Sequence, residues 1–361
     1  MQEIINFIKS KSIVLNPERK NLLVTLSDSN FIAQAKQLFS SAYWNAGWKG
    51  DYMLLAHNIP EEDLTWFSDR GILIRKCEFL IQSSWGVKDE CAPVIADKYY
   101  LFTEEFKKWK HIIYLDADII VKAPFEKLTD VNFFGGIQDI YFNRLSRQFY
   151  NKKNTTFNHK KYNFRQGAFN GGVLSFNTDI ITPSLFKEIN KLLTDHVNEF
   201  VYGEQTALNL FFYRKWKKLP VIYNVFINYH GPRSQKRLKG AIFHFARVCD
   251  YPQPPIWNPG SPFYNEWKTN LDKGESIDLE NIPMIKEWSN LKIRYYSLIV
   301  KTDFIAYNYI RPFIVFKLIP YSRSAFLYTI HTPGRIAGTI GSFIKKHHPG
   351  LYAKLKKSAK K

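Results

Sequence analysis

The chain has 361 residues, of which 45% are hydrophobic and 23% charged, so it can bury a core and is not disordered as a whole. An excess of 51 Lys and Arg over 32 Asp and Glu gives a net charge of +19, which indicates a polyanionic partner: nucleic acid, an anionic membrane surface or a phosphorylated substrate. At about 150 residues per domain, the length predicts one large domain with an appendage, or two domains.

Regular hydrophobic patterns run through the first third of the chain. They predict strands over 21–27, 51–56, 71–76 and 111–115, alternating with helices over 31–46, 60–70 and 94–109. This alternation favours an α/β fold, with a parallel sheet covered by helices on both faces. Sheets of that kind bind ligands beyond the carboxyl ends of their strands.

The middle of the chain departs from this pattern. Residues 140–168 are polar, basic and rich in Asn, which is typical of a lid or binding loop. Regular patterns then resume and predict a strand over 171–177, helices over 183–199 and 204–216, and a late strand over 241–246.

The clearest chemical signal is YLDADIIV, which places Asp116 and Asp118 directly after a buried strand. Paired carboxylates at a strand end suit a hard divalent cation that keeps positions open for a diphosphate. His244, in the apolar run AIFHFA, is a candidate third ligand, because neutral imidazole suits Mn²⁺. Solvated turn aspartates and a buried structural histidine are the alternatives. The chain has no glycine-rich phosphate loop, which argues against kinases and dehydrogenases.

Together these segments resemble the retaining glycosyltransferases of family eight, the group that contains glycogenin and the lipopolysaccharide galactosyl- and glucosyltransferases. The resemblance covers about Asn21 to Trp267 and rests on five ordered motifs: VTLSDSNF, YLDADIIV, FNGGVLSFN, EQTALN and HFA. It implies a GT-A fold, in which a mixed, mainly parallel Rossmann-like sheet is flanked by helices. It also implies a nucleotide-sugar donor, in most cases a UDP-sugar. The implied metal cofactor is Mn²⁺, with Mg²⁺ as the substitute.

The same resemblance implies roles for individual residues. The metal would be bound by Asp116, Asp118 and His244, and the nucleoside pocket would be lined by Leu26, Asp28, Asn30 and Phe31. The rest of the donor would be bound by Lys98, Asp116, Ala117, Asn170, Gly171, Gly172 and Arg247. The catalytic residues beside the anomeric carbon would be Glu204 and Gln205. Arg247 stands where the family has a glycine and Asp250 where it has a lysine that holds the diphosphate. Arg247 or a cation from the loop Arg144 to Arg165 would compensate.

Other functions fit parts of the sequence. An inverting GT-A glycosyltransferase would use Asp139 or Glu204 as its base. The Asp250 substitution suits a non-catalytic nucleotide-sugar-binding protein. The basic tail suits a polyanion-binding protein, although no nucleic-acid-binding motif is present and we expect no nucleic-acid partner.

Basic charge is concentrated at the C-terminus. Residues 292–361 hold fourteen Lys and Arg, twelve aromatic residues and one acid, Asp303. Rings interleaved with cations suit the headgroup layer of an anionic membrane, although packing on the main domain is the alternative. We expect an N-terminal segment over 1–20, a GT-A domain over 21–290 and a basic, aromatic, helical membrane-surface region over 291–361.

The expected location is cytoplasmic and peripheral to the membrane. No signal peptide or spanning segment is visible, and three cysteines without metal-binding spacing suit a reducing compartment. A surface-glycan or lipopolysaccharide precursor, as saccharide or glycolipid, is the expected acceptor.

Overall fold

A computed structural model describes residues 21–81, 93–140, 143–151, 155–157, 161–246 and 254–310. The chain divides into two compact units, residues 1–301 and 302–361. The fold and the site described below belong to the first unit. In the second unit, Asn308 Nδ2 donates to the Phe304 carbonyl at 2.9 Å, which closes a helical turn.

In the part of the chain that the structure describes, ten strands form two sheets. They are β1 (Asn21–Asp28), β2 (Asp51–His57), β3 (Leu73–Cys77), β4 (His111–Leu115), β5 (Ile119–Val121), β6 (Phe134–Gln138), β7 (Phe169–Asn177), β8 (Trp216–Lys218), β9 (Val225–Phe226) and β10 (Ile242–His244). The larger sheet has the order β3-β2-β1-β4-β7-β6-β8, and the smaller has the order β5-β10-β9.

The first four strands of the larger sheet run parallel, as predicted. Strand β7 then runs antiparallel to β4 and β6, and β8 runs parallel to β6. The predicted fold class, a mixed and mainly parallel sheet flanked by helices, is confirmed.

Seven α-helices accompany the sheets in the described ranges. They are α1 (Ile32–Ser41), α2 (Glu61–Asp69), α3 (Leu185–His196), α4 (Gly203–Phe211), α5 (Pro232–Gln235), α6 (Tyr264–Lys273) and α7 (Asn290–Ile305). None of the helices that the structure describes is both long and apolar enough to cross a bilayer.

Two helix predictions need correction. The segment predicted as a helix over 94–109 is a pair of 3-10 helices, Pro93–Phe102 and Glu104–Lys108. The helix predicted over 204–216 is too long: α4 ends at Phe211, the chain turns at Arg214 with φ of 59°, and Trp216 begins β8. Lys217 and Lys218 pair with β6, so sheet pairing overrides the local helical pattern.

Apolar side chains cover both faces of the larger sheet. On β1, Leu23 packs into one core layer, whereas Leu22 and Val24 pack into the other, because successive strand residues face opposite sides. Such a sheet leaves polar groups at its strand ends, and Asp116 follows β4 at that edge. The fold thus presents the predicted carboxylates to one cavity.

Candidate active site

A cavity of about 520 Å³ lies at the carboxyl ends of β1 and β4. The predicted residues that line it are Leu26, Asp28, Phe31, Lys98, Asp116, Ala117, Asp118, Asn170, Gly171, Gly172, Glu204, Gln205 and His244. Asn30 is not among the lining residues; its backbone N–H donates to Asp28 Oδ1 at 2.9 Å and stabilises the turn after β1. Arg247 and Asp250 lie outside the described residues.

Pairing of β10 with β5 brings His244 to the aspartates. The two strands run antiparallel with His244 opposite Ile119, and the Phe245 N–H donates to the Asp118 carbonyl at 3.0 Å. His244 Nε2 lies 3.1 Å from Asp118 Oδ1 and 4.0 Å from Asp116 Oδ2. One ligand atom from each of the three side chains falls within 4.8 Å of the others.

The two carboxylate oxygens of Asp116 have different surroundings. Oδ1 accepts a hydrogen bond from the Tyr114 hydroxyl at 2.7 Å and lies 3.5 Å from Lys98 Nζ. Oδ2 faces His244. One oxygen is therefore fixed by the protein while the other points into the three-residue cluster.

A chain of hydrogen bonds fixes the ring nitrogens of His244. Asn170 Oδ1 accepts from the Gly172 N–H at 2.9 Å and from Asn224 Nδ2 at 3.0 Å, which sets the orientation of the Asn224 amide. The Asn224 oxygen then faces His244 Nδ1 at 2.8 Å and accepts its proton. A neutral imidazole held in this way has its lone pair on Nε2, on the side of Asp118, which is the tautomer a metal needs.

The charges of this cluster shift the pKa values of His244 and Asp118. Burial acts to lower the pKa of His244, but the Asp118 and Asp116 carboxylates outweigh burial and raise it above its ordinary value. Burial acts to raise the pKa of Asp118, but His244 more than offsets this and the pKa lies below its ordinary value. The cluster therefore attracts positive charge.

The residues present fit a divalent cation. Two carboxylates and one imidazole are a donor set that suits Mn²⁺, and the metal would displace the proton shared with His244. A methyl group in place of the Gly172 hydrogen would lie 2.4 Å from His244 Cε1 and 2.6 Å from Asp116 Oδ2, so only glycine leaves room beside the cluster.

The cavity is rich in carboxylates. Five line it (Asp28, Asp116, Asp118, Asp139 and Glu204), against one lysine or arginine among the described lining residues, Lys98. A diphosphate alone would be repelled by this charge, so a nucleotide-sugar needs a bound cation to enter.

Lys98 is a buried cation with two carboxylate partners. Its Nζ lies 3.3 Å from Glu204 Oε1 and 3.5 Å from Asp116 Oδ1. Burial acts to lower the pKa of Lys98, but these two carboxylates outweigh burial and raise it. Lys98 thus keeps its charge at the floor of the cavity and links the metal cluster to the start of α4.

Gln205 joins α4 to β7. Its Oε1 accepts from the Gly171 N–H at 2.8 Å and from Asn170 Nδ2 at 3.0 Å, while its Nε2 donates to Asp139 Oδ2 at 3.3 Å. The EQ and NGG motifs are far apart in sequence but form one polar wall. The catalytic roles of Glu204 and Gln205 stay predictions.

The predicted nucleoside side of the cavity begins at β1. Leu26 and Asp28 lie at its end, and Phe31 is 38% exposed, with its ring edge-to-face on Trp257 at 5.5 Å between centroids. An exposed ring at a cavity mouth is available for stacking on a base.

Sequence reasoning missed several residues that line the cavity or support the residues lining it. Tyr114 could have been found, because it lies on β4 two positions before Asp116, and alternate residues of an extended chain face the same side. Asn224 and Phe226 carry no signal in the sequence; the Phe226 ring stacks on His244 at 4.8 Å between centroids.

Part of the domain matches a known family model. Residues 97–248 match the family model described as glycosyl transferase family 8, which confirms the resemblance. Glycosyltransferase GlyF of Streptococcus pneumoniae is 24% identical over 248 residues, covering 63% of this chain and 56% of its own length. Galactinol synthase 1 of Ajuga reptans is 22% identical over 244 residues, covering 64% of this chain and 68% of its own length.

Solved structures share the fold. The galactosyltransferase LgtC, in complex with donor and acceptor sugar analogues, superposes with a TM-score of 0.52 at 16% identity, over 74% of this chain and 98% of its own. GlyE of Streptococcus pneumoniae TIGR4 superposes with a TM-score of 0.51 at 20% identity, over 72% of this chain and 62% of its own. The chain spans little more than half the length of GlyF, and at these identities the solved structures show the fold alone.

Adjacent glycines offer a matched test of the metal cluster. Gly172→Ala should weaken Mn²⁺ binding by about 10–100-fold, as disturbed metal-site geometry generally does, because the new methyl would overlap His244 and Asp116. Gly171→Ala is the control, since its methyl would meet no atom closer than 3.5 Å. Titration of Mn²⁺ followed by electron paramagnetic resonance measures both, and equal affinities for the two variants would exclude the predicted cluster.

The Asn224 relay makes a separate prediction. Asn224→Leu should lower Mn²⁺ affinity by about 10–100-fold, because His244 Nδ1 loses its acceptor. Asn270→Leu is the control: Asn270 is also buried but bonds to Asn45 instead of to the cluster. Nitrogen NMR of the imidazole should show His244 Nδ1 protonated in the wild type and no longer fixed in Asn224→Leu; an unchanged spectrum and affinity would contradict the relay.

Proposed function

We propose that this chain, which carries a glycosyltransferase family 8 domain of the GT-A fold, moves a hexose from a UDP-sugar to a saccharide or glycolipid acceptor with retention of configuration. The supporting observation is the convergence of Asp116, Asp118 and His244 at a cavity that also contains the NGG and EQ motifs. Mn²⁺ is the proposed cation and Mg²⁺ its substitute. Surface-glycan or lipopolysaccharide synthesis is the proposed context.

The leaving diphosphate is the centre of the proposed mechanism. When bound by Asp116, Asp118 and His244, a divalent cation supplies Lewis-acid stabilisation of the charge that grows on this group. Lys98 adds a fixed ammonium at the cavity floor, where Asp116 and Glu204 hold it in place. Preorganised charge of this kind is usually the largest contribution to catalysis.

The wall formed by β7 and α4 would hold the donor sugar. Gly171 and Gly172 lack side chains, so the sugar can approach the backbone closely. The Glu204 carboxylate, which lies beside Lys98, would stabilise the positive charge that develops at the anomeric carbon. The departing phosphate oxygen would take the acceptor hydroxyl's proton as the new glycosidic bond forms.

An inverting reaction is the alternative that Asp139 suggests, because its carboxylate lines the cavity and could act as a base. Asp139 Oδ2, however, already lies 3.3 Å from Gln205 Nε2 and 3.5 Å from Asn170 Nδ2. These amide donors hold the Asp139 carboxylate against the wall of the cavity, which favours the retaining reaction.

The membrane-surface role of residues 291–361 and the cytoplasmic location stay predictions. Residues 311–361, which carry most of the basic and aromatic tail, lie outside the described part of the chain.

Loss of a metal ligand should stop transfer without unfolding the chain. Asp118→Ala should lower turnover of UDP-sugars in Mn²⁺ by at least about a hundredfold, the cost of removing a major source of charge stabilisation. Asp179→Ala, at an exposed aspartate after β7, should leave turnover unchanged.

A screen of UDP- and GDP-sugars by thermal shift, with and without Mn²⁺, identifies the donor for this assay. Circular dichroism confirms folding of both variants, and NMR of the product gives its anomeric configuration. Wild-type turnover in Asp118→Ala would refute the metal assignment, and a β-linked product from an α-linked donor would refute retention.

A further inference from the structure

Beside the acidic cavity lies a surface of opposite charge. Four cations line two adjoining cavities of about 390 and 510 Å³: Lys161, Arg165, Arg214 and Lys218. We call these four residues the cationic surface. Arg214 lines both cavities, and none of the acidic residues in the described part of the chain lines either of them.

The cationic surface has no counter-charge among the residues that the structure describes. All four side chains are exposed, and within the described part of the chain no carboxylate lies within 4.0 Å of any of them. Most surface cations gain little from ion pairs, but cations grouped around a concavity raise the local concentration of anions. An anionic ligand would supply the missing charge.

Aromatic rings support two of these cations. Lys161 Nζ lies 5.3 Å from the centre of the Tyr162 ring, and the Arg214 guanidinium lies 5.2 Å from that of Tyr213. The Tyr162 and Tyr213 rings pack edge-to-face at 5.1 Å, and the Tyr213 hydroxyl accepts from the Asn163 N–H at 2.6 Å. The wall of the smaller cavity is therefore built from rings and cations in fixed positions.

The backbone at Arg214 is unusual. Its φ of 59° lies in the left-handed region, which residues other than glycine adopt rarely. Such conformations cluster at functional sites. Here the turn places Arg214 between α4 and β8, where it joins the two cavities.

One strand connects this surface to the active-site cavity. Gln138, the last residue of β6, lines the larger basic cavity and hydrogen-bonds with Lys218, whereas Asp139 lines the acidic cavity. The Asp139 N–H donates to the Ala168 carbonyl at 2.9 Å, so the backbone next to these two lining residues is held in place by pairing. A molecule longer than one sugar could extend from one to the other.

We propose that the cationic surface binds an acceptor saccharide that carries carboxylate or phosphate groups, and holds the part of it remote from the transferred sugar. The proposal rests on the proposed function and specifies its acceptor class. Two concave, ring-walled cavities favour a saccharide over a flat lipid surface or a nucleic-acid duplex, for which the described residues offer no recognition motif.

Charge reversal tests this surface in the full chain. The variant Lys161→Glu with Arg214→Glu should weaken binding of a galacturonate hexamer by about tenfold or more, and added salt should weaken wild-type binding. The control Lys107→Glu with Lys187→Glu changes the net charge equally at exposed sites elsewhere and should bind as the wild type does. Neutral maltohexaose should bind the wild type more weakly than the galacturonate hexamer does, because it carries no charge.

Two further measurements separate loss of surface charge from misfolding and from loss of activity toward UDP-sugar. Arg214→Asn removes one positive charge while suiting the left-handed backbone, so a smaller loss of hexamer affinity in this variant excludes misfolding as the cause. Hydrolysis of UDP-sugar without acceptor should be unchanged in all these variants, because Lys161 and Arg214 line the basic cavities and do not line the active-site cavity. If the wild type neither binds nor hydrolyses UDP-sugars, the proposed function is wrong. Binding of the galacturonate hexamer is measured without UDP-sugar and therefore tests the cationic surface separately.

Two results would overturn the proposal. One is equal hexamer affinity in wild type and both cationic-surface variants. The other is a charge-dependent affinity for phosphatidylglycerol vesicles or single-stranded DNA without affinity for the hexamer, which would assign the surface to a lipid or nucleic-acid partner.

Discussion

The pairing of two three-residue strands, β5 and β10, determines whether this site exists. It places His244 opposite Ile119 and therefore beside Asp118. The pairing is stabilised by burial of apolar side chains on both strands, such as Ile120 and Ile242, each contributing about 1.5–3 kcal/mol. That burial offsets the cost of grouping carboxylates and an imidazole in a partly buried cluster.

Charge is divided between two neighbouring regions. Among the described residues, five carboxylates and one lysine line the active-site cavity, whereas four cations and no acid line the two basic cavities. In the proposed function the first region needs a divalent cation before it can hold a diphosphate, and the second attracts an anionic acceptor directly. Donor and acceptor would thus be recognised by opposite charges on either side of β6.

The sequence predicts single strands and the motifs that follow them well, but it predicts contacts between distant segments poorly. Strands β1 to β4 follow from short apolar runs, and the position of Asp116 and Asp118 follows from the end of β4. Strand β6 escapes prediction because FGGIQ, with two glycines, lacks a strand pattern, and the predicted α4 is too long because pairing with β6 makes Trp216 begin a strand. The predicted metal-binding role of His244 rests on imidazole chemistry and on the family resemblance. Nothing local predicts that Asn224 fixes the His244 ring, since that contact spans 20 residues between separate elements.

Anomalous diffraction at the manganese absorption edge, from crystals grown with Mn²⁺ and UDP, tests the central claim most directly. The account predicts one peak at bonding distance from a carboxylate oxygen of Asp116, one of Asp118 and Nε2 of His244, with UDP phosphate oxygens completing the coordination. A cavity that holds UDP with no manganese between these three side chains, or a His244 ring turned away from the aspartates, would contradict it.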